Sequence, residues 1–169
     1  YITQDKLIDW FRHNVPDVSF IAAKDSKQYI KENIQKTQLN IATLMSYIDD
    51  WDAYFKTPIS WKASETIKEK YIKKYKSNNE KIIGISWKSN NKKIGDEKSI
   101  PLHKMAPILT KRKIISLQYG DVKQEIDQVN SQEKLNILYD QDLDYYNDIN
   151  SLAALISICD EIITCSNVT

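Results

Sequence analysis

The stretch Lys81–Pro101, KIIGISWKSNNKKIGDEKSIP, constrains this chain more than any other. It opens with Ile82, Ile83, Gly84, Ile85 and Ser86, a short apolar and β-branched run. A run of that kind reads as a strand buried on both faces, as in a parallel sheet. A polar loop of Asn, Lys, Gly and Asp follows, and Pro101 then opens a helical segment, where its missing N–H costs nothing. The unit is strand, long polar loop, helix start. Ligands of open α/β sheets sit just past the carboxyl ends of the strands, and loops of more than roughly a dozen residues are usually functional or disordered. This loop carries Lys88, Lys92, Lys93 and Lys98 beside Ser89, Asn90 and Asn91, all donors suited to an anion. Taken alone, these residues favour a solvated Lys/Asn surface loop.

The rest of the chain decides what surrounds the loop. Its 169 residues suffice for one domain or pieces of two, and its 24 basic and 23 acidic residues nearly balance, at net +1. That removes the simplest case for nucleic-acid binding, which needs a basic surplus to release phosphate counterions. No apolar run approaches the ~20 residues needed to span a bilayer, and no charged start followed by an apolar centre marks a secretory leader. Cys159 and Cys165 have no companions at metal-ligand spacing and read as two buried thiols of a reducing compartment, so the cytoplasm is the expected location. Basic charge is almost all Lys, so single lysines carry little functional weight.

Thr3–Asn14 reads as a helix with Thr3 as N-cap and Leu7, Trp10 and Phe11 on one face. Pro16 stops it, and Val18–Ala22 reads as a strand whose sheet nothing nearby completes. Tyr29, Ile30, Ile34 and Leu39 give a helical face, and Ile41–Ile48 a second short element. Trp51, Tyr54, Phe55 and Trp61 gather around Pro58 as a packed aromatic bridge between domains. Ala63–Lys76 is a helix with Ile67, Tyr71 and Tyr75 on one face and lysines on the other, ended by Ser77, Asn78 and Asn79. Beyond Pro101, Leu102, Met105 and Leu109 keep helical spacing, and Pro107 limits that helix to a short or bent one. Strands follow at 113–118, 136–139 and 162–166. Helices separate them, over 122–129 and, capped by Asp148, over 149–159. The β-α-β-α-β-α-β alternation from residue 81 onward is the pattern of a parallel sheet covered by helices.

Stacked in parallel, the four strands bring Trp87–Lys98, Gln118–Asp121, Tyr139–Asp142 and Ser166–Thr169 to one edge. The chain has neither a GxGxxG dinucleotide fingerprint nor a GxxxxGK[ST] P-loop. Its two histidines, His13 and His103, form no catalytic set and read as structural or solvent-exposed.

Four segments, IIGISWKSN, KSIPLHKMAPIL, SLQYGD and DLDYYNDINSLAALISICDEIITCSNVT, resemble in order and spacing the C-terminal domain of heptosyltransferase-like glycosyltransferases. These are GT-B enzymes, in which two Rossmann-like domains face each other across a cleft. The nearest resemblance is to the subgroup found behind tetratricopeptide repeats in bacterial proteins. It covers residues 81–169 well and residues 1–80 weakly. It implies an α/β fold with three parts: 1–25 as the tail of an N-terminal domain, 26–80 as a mostly helical linker, and 81–169 as a truncated Rossmann-like domain that binds a nucleotide-diphosphate sugar.

The resemblance also implies roles. Lys98 matches a lysine that contacts the donor phosphates, in accord with a cation beside a helix start neutralising a leaving diphosphate. Ser89 and Asn90 match the phosphate-side loop after the first strand, Gln118 and Asp121 the donor contacts at the second strand's end. Asn167 and Thr169 match a stretch that cradles phosphate at the next helix N-terminus. Sugar transfer in such enzymes uses no metal or cofactor, and the acceptor is a saccharide or protein hydroxyl. Two departures stand out: Ser166 replaces a common Asp, and the chain stops at Thr169, before the family's His-Leu-Ala-Gly segment. The catalytic base belongs to the N-terminal domain, so no catalytic residue is assigned and the chain alone is expected to be inactive. Self-association through the N-terminal remnant is a further expectation. The alternative is a non-catalytic α/β binding or scaffold module behind repeats.

Overall fold

In the N-terminal part of the chain, Ile2–Thr3 (β1) pairs in parallel with Ile21–Ala22 (β2). The expectation that nothing completes the sheet of the second strand is thereby corrected. Two residues are too few to show a period, which is why β1 reads from sequence as the start of the helix. Thr3 lies in β1 and caps no helix; a 3-10 turn, Asp5–Leu7, leads into Ile8–Asn14 (α1). After β2 a second 3-10 turn precedes Ser26–Glu32 (α2). The aromatic face of α1 is partly covered within this unit. Trp10 stacks on Trp61 at 6.1 Å between centroids, and Phe11 stacks on Phe20 at 5.0 Å. Asn14 Oδ1 accepts the backbone N–H of Lys62 at 2.6 Å.

This computed structural model describes residues 1–33, 49, 56, 61–77, 80–91 and 93–165. The face at Ile34 and Leu39, the element over 41–48, the aromatics Trp51, Tyr54 and Phe55 around Pro58, and Asn78, Asn79, Lys92, Ser166, Asn167 and Thr169 lie outside the described residues. The chain divides into two compact units, Tyr1–Lys62 and Ala63–Thr169.

The second unit is the α/β domain. Its elements are Glu65–Tyr75 (α3), Ile82–Ser86 (β3), Gly95–Lys98 (α4), Leu102–Leu109 (α5), Lys113–Ser116 (β4), Lys123–Glu133 (α6), Ile137–Leu138 (β5), Ile149–Ser157 (α7) and Glu161–Thr164 (β6). All four strands of its sheet are parallel, in the order β5-β4-β3-β6. Every residue of β3 is buried, as its unbroken β-branched run predicts for a central parallel strand. Side chains close over Gly84: a Cβ would lie 2.5 Å from Leu117 Cδ1 and 2.8 Å from Ile162 Cδ1, and both side-chain ends would have to shift to admit it.

Helices cover both faces of the sheet. One core joins Tyr71 and Tyr75 of α3 to Ile82, Ile115, Leu117, Leu152 and Leu155, with Ile67 packed against it. The predicted face of α3 is therefore the buried one, and this helix belongs to the same unit as the sheet. The other core joins Ile83, Ile85, Trp87 and Ile114 to Leu102, Met105 and Leu109 of α5 and Ile126 and Val129 of α6. Pro107 sits inside α5, which stays short as expected. Asp148 caps α7, its Oδ1 accepting Ser151 N–H at 2.9 Å. Cys159 and Cys165, expected to be buried, are both only partly buried.

Candidate functional site

The chain runs from β3 outward to β4 and β5 on one side, and β6 then pairs on the other side of β3. The crevice of such a sheet opens where the order reverses, past the carboxyl ends of the two diverging strands. Here those ends are Ser86 and Thr164, and Cys165 N–H donates to Ser86 O at 3.0 Å.

Gln118 fixes the start of the loop that leaves β3. It is fully buried, and its Oε1 accepts from Ser86 Oγ at 3.1 Å, Trp87 N at 2.9 Å and Lys88 N at 2.7 Å. Its Nε2 donates to Lys88 O and Tyr119 O, both at 3.1 Å. The side-chain amide is thus committed to backbone and to Ser86, which gives Gln118 a positioning part in the loop.

The loop beyond is closed on itself. Ser89 N–H donates to Ser99 Oγ at 3.0 Å, Ser99 Oγ–H to Gly95 O at 2.7 Å, and Ile100 N–H returns to Trp87 O at 2.9 Å. Asn91 makes an Asx turn, its Oδ1 accepting Lys93 N–H at 2.9 Å. Gly95 is required by close approach, since a Cβ would lie 2.4 Å from Ser89 O. Asn90 N–H donates to Tyr119 Oη at 3.3 Å, linking the loop to the end of the second strand.

A shallow hollow of about 480 Å³ lies in this loop, lined by Ser89, Asn90, Asn91 and Lys93 and also by Asp96 and Glu97. Ser89 and Asn90 therefore share a hollow, Gln118 braces it from beneath, and Asp121 lies exposed on the same edge just past Gly120. Lys98, half-buried at the end of α4, does not line the hollow. Lys88 pairs with Glu125 at 2.6 Å. Next to the loop, Trp87 is fully buried with its indole N–H lacking an acceptor among the described residues.

Past β5 lies a polar hub that the sequence does not assign. Asp140 is 2% exposed, and its carboxylate accepts from Lys74 Nζ at 3.0 Å to each oxygen, Tyr75 Oη at 3.0 Å and Asp142 N at 3.1 Å. Its own N–H donates to Tyr145 Oη at 2.9 Å. Burial alone raises the carboxyl, but the hydrogen bonds from Lys74, the Asp142 backbone and Tyr75 outweigh it and hold the group below the usual range. Burial, with Asp140 beside it, pushes the Tyr75 phenol up to about 12. The signal in the sequence was the first of three alternating aspartates, Asp140, Asp142 and Asp144, after an apolar strand, but its partners Lys74 and Tyr75 stand far away in the chain.

Among the described residues no cluster of three or more His, Cys, Asp or Glu is placed to hold a metal ion. Among them, too, no helix is long and apolar enough to cross a membrane. Fold and edge define an α/β domain with a Rossmann-like arrangement of parallel strands and flanking helices. Compared with protein-family models, curated proteins and solved structures, the chain finds no match.

Proposed function

We propose that this chain supplies the donor-binding half of a GT-B glycosyltransferase and holds a nucleotide-diphosphate sugar at the carboxyl edge of its sheet. The observation that carries the reading is the reversal of strand order at β3, flanked by β4 and β6, with the closed Ser89–Ile100 loop beside that point. Polar ligands of open parallel sheets collect at such reversals. The resemblance of the same segments to heptosyltransferase-like enzymes supplies the class of ligand.

In this reading the acceptor hydroxyl oxygen attacks the anomeric carbon of the sugar. The bond from that carbon to the diphosphate oxygen breaks, and the diphosphate leaves with the electron pair. Lys98 balances the charge that develops on it, together with the side chains of Ser89 and Asn90. The resemblance adds phosphate contacts from Asn167 and Thr169 and a donor contact from Asp121. The hydroxyl proton goes to a base outside this chain, and the acceptor is a saccharide or protein hydroxyl in the cytoplasm, where nucleotide sugars are made.

Calorimetric titration of the chain with uridine, guanosine, adenosine and thymidine diphosphates tests the proposal. Saturable binding of one of them is expected. Absence of saturable binding to all four returns the domain to the alternative, a binding or scaffold module. The two acidic side chains in the Ser89–Asn90 hollow, Asp96 and Glu97, are the observation on that side.

A further inference from the structure

The opposite edge of the sheet carries a cleft of about 670 Å³, within the usual range of about 300–1,000 Å³ for small-molecule sites. It lies where the strands begin: Lys81 precedes β3, Lys113 opens β4, Asn136 precedes β5 and Glu161 opens β6. Its lining includes five cationic residues and two carboxylates. The carboxylates are engaged, Glu161 with Arg112 at 2.9 Å and Glu80 with Lys113 at 3.4 Å. Lys81 acts on nearby Asp160. Lys111 and Lys134 have no carboxylate within ion-pair distance among the described residues.

The backbone at those two lysines is unusual. Lys111 and Lys134, with φ of 60° and 53°, are the non-glycine residues that adopt positive φ among those described. Lys134 stands directly after the end of α6 and Lys111 two residues past the end of α5, positions where glycine fits the left-handed conformation without steric cost. Lysine there brings a conformational penalty and an ammonium group. One return is local, because a cation complements the negative end of a helix. Lys111 and Lys134, which follow α5 and α6, both line this one cleft.

We propose that the amino-edge cleft binds a small phosphorylated molecule, separate from the carboxyl-edge site. Arg112, whose planar fork suits carboxylates and phosphates alike, is already paired with Glu161. The groups left over are ammonium point charges, which suit a tetrahedral phosphate. The limited size of the cleft and the chain's net charge of +1 fit a small anion better than a nucleic-acid strand. Buried Ile83 and Leu109 form an apolar floor that strengthens charge interactions above it.

The test is a calorimetric and amide-NMR titration of the full chain with inorganic pyrophosphate, with citrate in parallel. Saturable pyrophosphate binding that shifts the amides of Lys111, Lys134 and Asn136 is expected, with citrate much weaker. The double variant Lys111→Gly/Lys134→Gly removes both charges in a conformation that glycine prefers. It should bind pyrophosphate about tenfold or more weakly, a change of about 1.4 kcal/mol or more, with an unchanged or higher melting temperature. Lys111→Asn/Lys134→Asn, also compatible with positive φ, should behave alike. Lys98→Ala should leave these amide shifts intact. Unchanged affinity in the double variants, equal binding of citrate, or a lowered melting temperature with glycine would each overturn the proposal. So would loss of the shifts in Lys98→Ala, which would assign pyrophosphate to the other edge.

Discussion

The side-chain amide of Gln118 and the backbone of Lys88 are joined in both directions: Oε1 accepts the Lys88 N–H at 2.7 Å while Nε2 donates to the Lys88 carbonyl at 3.1 Å. A glutamine thus substitutes for the next rung of the ladder where β3 and β4 diverge. Leu117 N–H to Ile85 O, at 2.8 Å, is the last backbone bond before it. The bridge continues the register of the sheet into the loop proposed to hold a donor.

Gln118→Leu keeps the volume and strips the bridge. It orphans the N–H groups of Trp87 and Lys88 together, and a buried donor left unsatisfied costs about 1–3 kcal/mol. A loss of about 3 kcal/mol or more is expected in urea unfolding. Gln118→Glu retains the acceptor but turns an oxygen toward the carbonyls of Lys88 and Tyr119. It should also destabilise, and partly recover at acidic pH, where the carboxyl is protonated and donates again. Equal stability of Gln118→Leu and the parent would remove the bridge from any account of the loop.

How far such features were legible from sequence depends on their range. The continuous β-branched run of β3, the Ile67–Tyr71–Tyr75 face and the Asp148 cap are local patterns, and the structure has all three. The alternation of elements carried the parallel sheet, because parallel strands need crossovers. Strand order is different, since no periodicity says that β6 pairs with β3 and not with β5. Gln118 was legible as a polar residue at a strand end, yet its direction is set by the backbone N–H and carbonyl of Lys88, thirty residues away in the chain. The Lys74–Asp140 contact spans 66 residues and leaves no local trace, and β1 is too short to leave one.

Asp140 gives the domain a pH-dependent contribution with a definite sign. Its folded pKa is lowered, so its stabilisation is full above the unfolded aspartate value near 3.9 and is lost as pH falls through the lower folded value. Asp160, exposed and accepting the Ile82 N–H at 2.9 Å, is shifted in the same direction, chiefly by that bond, and acts in the same window. Asp140→Asn should cost about 2 kcal/mol at neutral pH, the usual scale for hydrogen bonds to a charged group; Lys74, still partly exposed, recovers some solvation. Its urea midpoint should then fall less than the parent's as the pH drops from about 5 to about 2. A parallel fall in both proteins would place the acid sensitivity elsewhere.

Gly95 tests whether the closed loop has to keep its shape. A Cβ there meets backbone, Ser89 O at 2.4 Å, so the strain cannot be absorbed by rotating a side chain. Gly95→Ala should cost about 1–3 kcal/mol, the usual range for overpacking, and should shift the amide resonances of Ser89 and Asn90. If the proposed donor binds there, nucleotide-diphosphate affinity should fall with it. An unchanged spectrum at Ser89 and Asn90 would contradict the close approach.

Lys98 carries the electrostatic part of the proposed donor site. It ends α4, half-buried, with no ion pair to a carboxylate among the described residues, whereas Lys88 on the same loop is held by Glu125 at 2.6 Å. Lys98 also stands outside the hollow lined by Ser89 and Asn90, so a diphosphate held by all three would have to bridge the turn. A charge-assisted hydrogen bond contributes roughly 1.5–3 kcal/mol. Lys98→Ala should accordingly weaken nucleotide-diphosphate binding about ten- to a hundredfold at 1.4 kcal/mol per decade. Lys93→Ala lies in the lining but off the matching stretch and should do far less, and raising salt should narrow the gap between the two. Arg, with its charge retained, should restore most of the binding at position 98 if charge is what matters. Equal, small losses from Lys98→Ala and Lys93→Ala would mean that the loop offers only diffuse positive charge, and the phosphate role of Lys98 would fall.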